Sequence, residues 1–244
     1  MSQPNVMEPT PPPPDLKARL QTSYNAIAET YQTFTRIHDP IRFDFIARLL
    51  QLLREKEGEA GRPPSVPAAA IEMLELGIGA GVPGTQMLLQ HRDPSIRVTG
   101  NDLSPVQLEL AARNLAPHVE DGTLRLVGGD MLSLDLPEAS FDAVVAFYSI
   151  IHLPRDEQRM LMKKVARWLK PGALFLGCFG EDSTEGVVMR QWLDQERGWM
   201  FWSGWGIEGS VRMVKSVGLE VLVQEVREDI GASFLWVIAR RPLS

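Results

Sequence analysis

The run Ile71-Glu-Met-Leu-Glu-Leu-Gly-Ile-Gly-Ala-Gly81, followed by Val82-Pro-Gly84, constrains this chain more than any other stretch. A short apolar segment carries an acidic residue near its end, Glu75, then Gly77, Gly79 and Gly81 alternate, and a helix is expected to begin. Glycines at that spacing let the backbone come close to a nucleotide-sized ligand at the carboxyl edge of a parallel strand. The first N–H groups of the following helix are left free to meet it. Asp102 closes the next apolar run about twenty residues further on, the place for a ribose-binding carboxylate. Gly79-x-Gly81-x-x-Gly84 also satisfies the dinucleotide pattern, which is weak by itself, so a nicotinamide-dependent oxidoreductase stays open at this point.

The organisation of the chain supports an α/β fold. Strand-like runs near 71–76, 96–102, 123–128, 142–148 and 173–179 alternate with helical stretches near 83–92, 104–115 and 155–169. Each parallel crossover needs a returning helix, so the alternation predicts a doubly wound, mostly parallel sheet. Ahead of it, helices over about 15–36 and 41–54 form a helical lid spanning 15–60, and Glu57 to Pro67 reads as an exposed loop. Residues 1–14, with Pro11 to Pro14, read as a disordered Pro-rich tail. A helical piece near 184–197, a helix near 207–217 and two closely spaced strands, 219–226 and 233–240, complete a single domain over 15–244.

Further motifs stand in order along this framework: Gly128-Gly-Asp130-Met131, Ser140-Phe-Asp-Ala-Val-Val-Ala-Phe-Tyr148 and Lys170-Pro-Gly172. With Glu75-x-Gly77-x-Gly79-x-Gly81 they resemble the class I S-adenosylmethionine (SAM)-dependent methyltransferases, small-molecule branch, over about Tyr24 to Pro242. The resemblance implies a Rossmann-like, mostly parallel seven-stranded sheet with a C-terminal antiparallel hairpin and an N-terminal helical lid. It implies SAM as cofactor and S-adenosylhomocysteine as product, a SAM-binding core over 71–180, and a substrate-covering segment over 181–206 before the final helix and hairpin at 207–244.

Site residues follow from the same likeness. Gly77, Gly79 and Gly81 lie under the methionine and ribose parts of the cofactor, Glu75 holds its ammonium, and Asp102 takes the ribose hydroxyls. Asp130 and Met131 meet the adenine, Leu103 packs on its other side, Phe147 lines the pocket, and Tyr31 and Tyr24 close over it from the lid. His152, with an ordinary pKa near neutrality, is the histidine placed to serve as general base, unless it only hydrogen-bonds within its turn; Tyr24 is its companion candidate. Tyr148, Trp199, Phe201, Trp202 and Trp205 are expected to wall an apolar or aromatic acceptor.

Composition narrows the alternatives. A formal charge of −6 and the lack of a basic run argue against nucleic acid. The single cysteine, Cys178, lies in an apolar run and reads as a core thiol, and four scattered histidines offer no metal site. The 244 residues hold no apolar stretch of membrane-spanning length, so a cytoplasmic protein, monomer or homodimer, acting on a small molecule is expected. The competing readings are a SAM-binding regulatory protein without turnover and, more distantly, the NAD(P)-dependent oxidoreductase, for which no Tyr-x-x-x-Lys constellation is evident.

Overall fold

The computed structural model describes residues 7–59, 69–229 and 231–243. At its centre is β2 (Ile71–Leu76), paired in parallel with β3 (Ile96–Asp102) on one side and β5 (Phe141–Ala146) on the other. Beyond β3 lies β4 (Leu124–Gly128), and beyond β5 lies β6 (Leu169–Gly180), both parallel. The strands β9 (Glu220–Asp229) and β10 (Ala232–Arg240) then extend the sheet antiparallel, giving seven strands in the order β4-β3-β2-β5-β6-β10-β9. The chain reverses its winding between β2 and β5, and a ligand cleft opens at the carboxyl ends beside such a switch.

Alternate residues of each strand feed two apolar layers, as the twofold repeat of a strand requires. Leu235, Val237 and Ala239 pack with α6 (Arg155–Trp168) and α7 (Gly206–Ser216), whereas Trp236 and Ile238 pack with α2 (Asp39–Glu59) and α3 (Gly84–Leu89). Phe45, Ile46 and Leu49 of α2 are fully buried in that second layer. The second helix is therefore part of the core, and only α1 (Leu16–Phe34) crosses over the carboxyl edge of the sheet as a lid. Helix α4 (Pro105–Asn114) begins at Ser104, whose hydroxyl accepts from Gln107 N at 3.1 Å, with Pro105 in its first turn.

Three expectations change. Helix α2 runs on to Glu59, past the expected break at Glu57; residues 60–67 of that loop lie outside the described residues, as do residues 1–6 of the tail. Glu8–Pro9 is ordered as a short strand, β1, paired antiparallel to Val187 and Val188. Finally, 184–197 is not helical: β7 (Ser183–Arg190) pairs with β8 (Trp199–Trp205), and β1, β7 and β8 form a separate three-stranded sheet. The reason is local. β-branched Thr184, Val187 and Val188 favour strand, and Gly186 admits a close approach that no other residue could, since a Cβ there would stand 2.3 Å from the Thr10 carbonyl oxygen.

Candidate active site

The glycine loop leaves β2 tied to its neighbour, because Gly77 N and Ile78 N donate to Asn101 O at 2.8 and 2.9 Å. Its three glycines do different things. Gly77 has φ +79°, and a Cβ there would press within 2.5 Å of Ser149 Cβ; Gly81 has φ +73°, and its Cβ would strike Leu115 at 2.6 Å. Gly79, at φ +56°, faces open cavity, the nearest atom to a Cβ there being Gln107 Oε1 at 3.8 Å. Gly77 and Gly81 thus permit packing, while Gly79 keeps a wall clear.

Three carboxylates surround this loop. Asp102 accepts the backbone N–H of Gly79 at one oxygen and of Ser104 at the other, both at 2.8 Å, and burial raises its pKa to about 6. Glu75, 3% exposed, accepts the Thr85 hydroxyl at 2.7 Å, and burial raises it to about 7. Asp130 accepts Leu132 N at 3.0 Å and pairs through its other oxygen with Lys17 of α1, which also reaches Glu157 of α6 at 2.9 Å. Lys17 therefore ties the lid to two points of the core across the mouth of the cavity.

Beside the glycine loop, two contributors escaped the sequence reading. Arg42 is buried on α2 and, with Glu75 and Gly77, lines a side cavity of about 40 Å³ that shares Gly79, Tyr31 and Phe147 with the main one. Its guanidinium lies 5.6 Å from the Tyr148 ring, and its Nε has no partner among the described residues. A cation and a carboxylate around one small space suit a zwitterionic amino-acid group. The signal was its helical phase, on the same face as Phe45, Ile46 and Leu49. Gln107, 1% exposed, lines the main cavity, and neither end of its side-chain amide has a partner among the described residues.

Beyond the main cavity lies a second one of about 390 Å³. Tyr24, Tyr31, Tyr148 and His152 line both and so form the partition. His152 Nδ1 lies 2.8 Å from the Phe201 carbonyl, which can only accept, so that nitrogen carries the proton and Nε2 presents its lone pair. Nε2 receives the Tyr24 hydroxyl at 2.7 Å. Burial lowers the His152 pKa to about 4 and pushes Tyr24 well above the usual phenol value, so both are neutral near pH 7. Tyr148 sits at φ +55°, a backbone conformation uncommon outside glycine, and its N–H donates to Cys178 Sγ at 3.0 Å.

The sequence-nominated residues divide accordingly. Gly77, Gly79, Asp102, Leu103, Asp130, Met131 and Phe147 meet around the main cavity with Tyr24, Tyr31, Tyr148 and His152, and Glu75 stands in the side cavity. Gly81 lines none of these spaces. Of the aromatic patch, Trp202 lines the second cavity, whereas Phe201 is fully buried among lid residues, Trp199 packs in that same cluster, and Trp205 lies 4.2 Å from the guanidinium of Arg159. Trp192, Phe34 and Phe234, not singled out beforehand, line the second cavity in their place.

A seven-stranded sheet with this strand order, a glycine loop at its switch point and acidic residues at or just beyond the ends of β2, β3 and β4 form the arrangement seen in the class I SAM-dependent methyltransferase fold. Residues 73–172 match the family model described as a methyltransferase domain. An O-methyltransferase of Aspergillus nomiae is 30% identical over 55% of this chain and 56% of its own length. A sterol 24-C-methyltransferase of Gibberella zeae is 26% identical over 68% of this chain and 44% of its own. The chain thus spans about half the length of the curated relatives it matches. The 1,6-didemethyltoxoflavin N1-methyltransferase of Burkholderia thailandensis, solved with that compound and S-adenosylhomocysteine, shares the fold, with a TM-score of 0.62 at 17% identity over 99% of this chain and 97% of that one. No helix among the described residues is long and apolar enough to cross a membrane, and no group of metal-binding side chains occurs among them.

The cofactor of the class is SAM, and the residues present fit it. Gly79 leaves the space a Cβ would fill, and the unpartnered Gln107 amide and Arg42 Nε are buried polar groups that need a ligand.

Proposed function

We propose that the protein transfers a methyl group from SAM to a small, flat, apolar or aromatic metabolite held in the second cavity. The observation that carries this reading is the shared partition: the spaces for donor and acceptor meet only where Tyr24, Tyr31, Tyr148 and His152 stand.

The cofactor, when bound, supplies a methyl group on a sulfonium, activated by the positive charge and released with the bonding pair left on sulfur. The protein's share is alignment, exclusion of water and disposal of a proton. Asp102 and Gln107 would hold the ribose, Asp130 and Met131 the adenine, and Glu75 with Arg42 the amino-acid end. An acceptor hydroxyl reaching the partition would donate to the Tyr24 oxygen while Tyr24 passes its own proton to His152 Nε2. The acceptor oxygen, relieved of its proton, then forms the new carbon–oxygen bond. The Phe201 carbonyl fixes the His152 Nε2 lone pair toward Tyr24, so it receives without rearrangement, while burial, in place of the ordinary pKa near neutrality, leaves the imidazole a weak base.

The test is incubation with labelled SAM and a metabolite extract, with mass identification of the labelled product. Tyr24→Phe and His152→Gln should each lower kcat by roughly 10²-fold, the lower range for a positioned acid–base group. Their dissociation constants for S-adenosylhomocysteine should move far less. Wild-type turnover in both variants would remove the relay; absence of any SAM binding would remove the whole reading.

A further inference from the structure

The second cavity carries information about its occupant's charge. Resting on the function proposed above, we propose that the preferred acceptor is a phenol bearing a protonated amine, with the hydroxyl at the Tyr24–His152 partition and the ammonium at the cavity mouth.

No lysine or arginine lines this cavity among the described residues. The charged side chains that do are Glu181 and Asp182, both exposed at the turn between β6 and β7, which marks that turn as the solvent end. Arg155, bound to residues of β7 just past this turn, is turned to other duties: it donates to Glu185 at 2.6 Å, to the Ser183 hydroxyl at 2.7 Å and to the Gly204 carbonyl at 2.9 Å. An anionic acceptor would therefore bring its charge beside two carboxylates with nothing to neutralise it.

The walls point the same way independently. Trp192 is the hub of an aromatic cluster, its ring centroid 5.5 Å from Tyr31, 5.6 Å from Phe34 and 5.9 Å from Trp202. Ring faces attract cations and repel anions, and they bind a flat body through area. A cavity of about 390 Å³ lies within the range that holds drug-sized molecules.

The buried end is different. Tyr24 and His152 are neutral there and hydrogen-bonded to each other, so that pair offers hydrogen bonds and no charge, and the Arg42 guanidinium, 5.6 Å from the Tyr148 ring, further disfavours a cation at this end. Moving an ammonium to that depth would require desolvating it against neutral groups, whereas a hydroxyl needs only a hydrogen bond. The orientation follows: hydroxyl inward, amine outward.

Three matched phenols test this: tyramine, 4-ethylphenol and 3-(4-hydroxyphenyl)propionate, which share a ring and differ in tail charge. Binding to the protein saturated with S-adenosylhomocysteine is measured by calorimetry, and turnover with SAM by mass spectrometry. Tyramine should bind about three- to tenfold more tightly than 4-ethylphenol, two exposed carboxylates each contributing the modest factor usual at a surface, and the propionate more weakly than both. In the Glu181→Gln, Asp182→Asn double variant the tyramine advantage should disappear. Equal binding of all three, preference for the anion, an advantage that survives the double variant, or failure of all three to bind overturns the proposal. If the three bind in the expected order yet none is methylated, the charge preference stands and the proposed reaction falls.

Discussion

The backbone N–H of Gly79 donates to Asp102 at 2.8 Å, joining the tip of the glycine loop to the end of the neighbouring strand. One side chain thus shapes the loop and faces the cavity at once. Asp102→Asn keeps one good acceptor, but its amide NH2 must face one of the two backbone donors. The expected result is SAM affinity lowered tenfold or more, in line with about 1.5–3 kcal/mol for a hydrogen bond to a charged group. Isothermal titration reads it, and unchanged affinity would contradict the role.

The first two glycines of the loop should respond to alanine in different ways, one chiefly in stability and the other chiefly in binding. At Gly77 the positive φ and a 2.5 Å approach to Ser149 Cβ act together, so Gly77→Ala should lower stability by about 2–4 kcal/mol in denaturant unfolding. At Gly79 the space is open, so Gly79→Ala should cost about 1 kcal/mol from the positive φ yet sharply weaken SAM binding.

Burial raises Glu75 to about 7 and Asp102 to about 6, above the values they take in the unfolded chain. Between about pH 4 and 7 the ligand-free folded state therefore holds more protons than the unfolded state, and these two groups make stability fall as pH rises through that window. A cationic ligand prefers both carboxylates ionised, so SAM affinity should rise from pH 5.5 to 8 with proton release. Titrations in buffers of different ionisation enthalpy measure that release directly; a flat affinity profile would argue against Glu75 meeting the ammonium.

Lys17, Leu20, Tyr24 and Tyr31 of α1 wall the main cavity, so outward movement of α1 would widen its entrance. Lys17, bridging Asp130 and Glu157, opposes that movement. Lys17→Ala should speed SAM association roughly two- to fivefold, the scale of a partly exposed ion-pair network, as followed by stopped-flow tryptophan fluorescence. A slower association would show that Lys17 guides the ligand instead.

If the second cavity holds the acceptor as proposed, Trp192→Ala, in its wall, should raise the acceptor KM tenfold or more with little change in the SAM dissociation constant. Trp205→Ala should do the reverse of that pattern: a loss of thermal stability, since its ring lies under Arg155 and Arg159 and its indole N–H donates to Arg155 O at 3.3 Å, with the acceptor KM unaltered.

The central sheet was legible because its signals are local and periodic: short apolar runs, a glycine loop, and Ser104-Pro105 opening a helix. Asp102, Asp130 and Phe147 followed, since each sits at the end of a strand whose position was already known. The cap was not legible. Phe201 and Trp202 are neighbours on one strand and face opposite ways, so a dense aromatic patch in sequence became one cavity wall and several packing contacts. Trp192 reaches the cavity from a turn with left-handed backbone at Gln191, Leu193 and Asp194, which no residue preference there announces. Arg42 looked like a polar residue on a helix, and its burial depends on the distant glycine loop.

His152 takes its orientation from the main chain of Phe201, not from a side chain. Replacing Phe201, or redecorating the outward positions of β7 and β8, leaves that carbonyl where it is as long as the two strands stay paired. Side chains around the second cavity can therefore change while the Tyr24–His152 pair keeps its aim, so that the lining of that space and the orientation of the pair are free to diverge along separate routes.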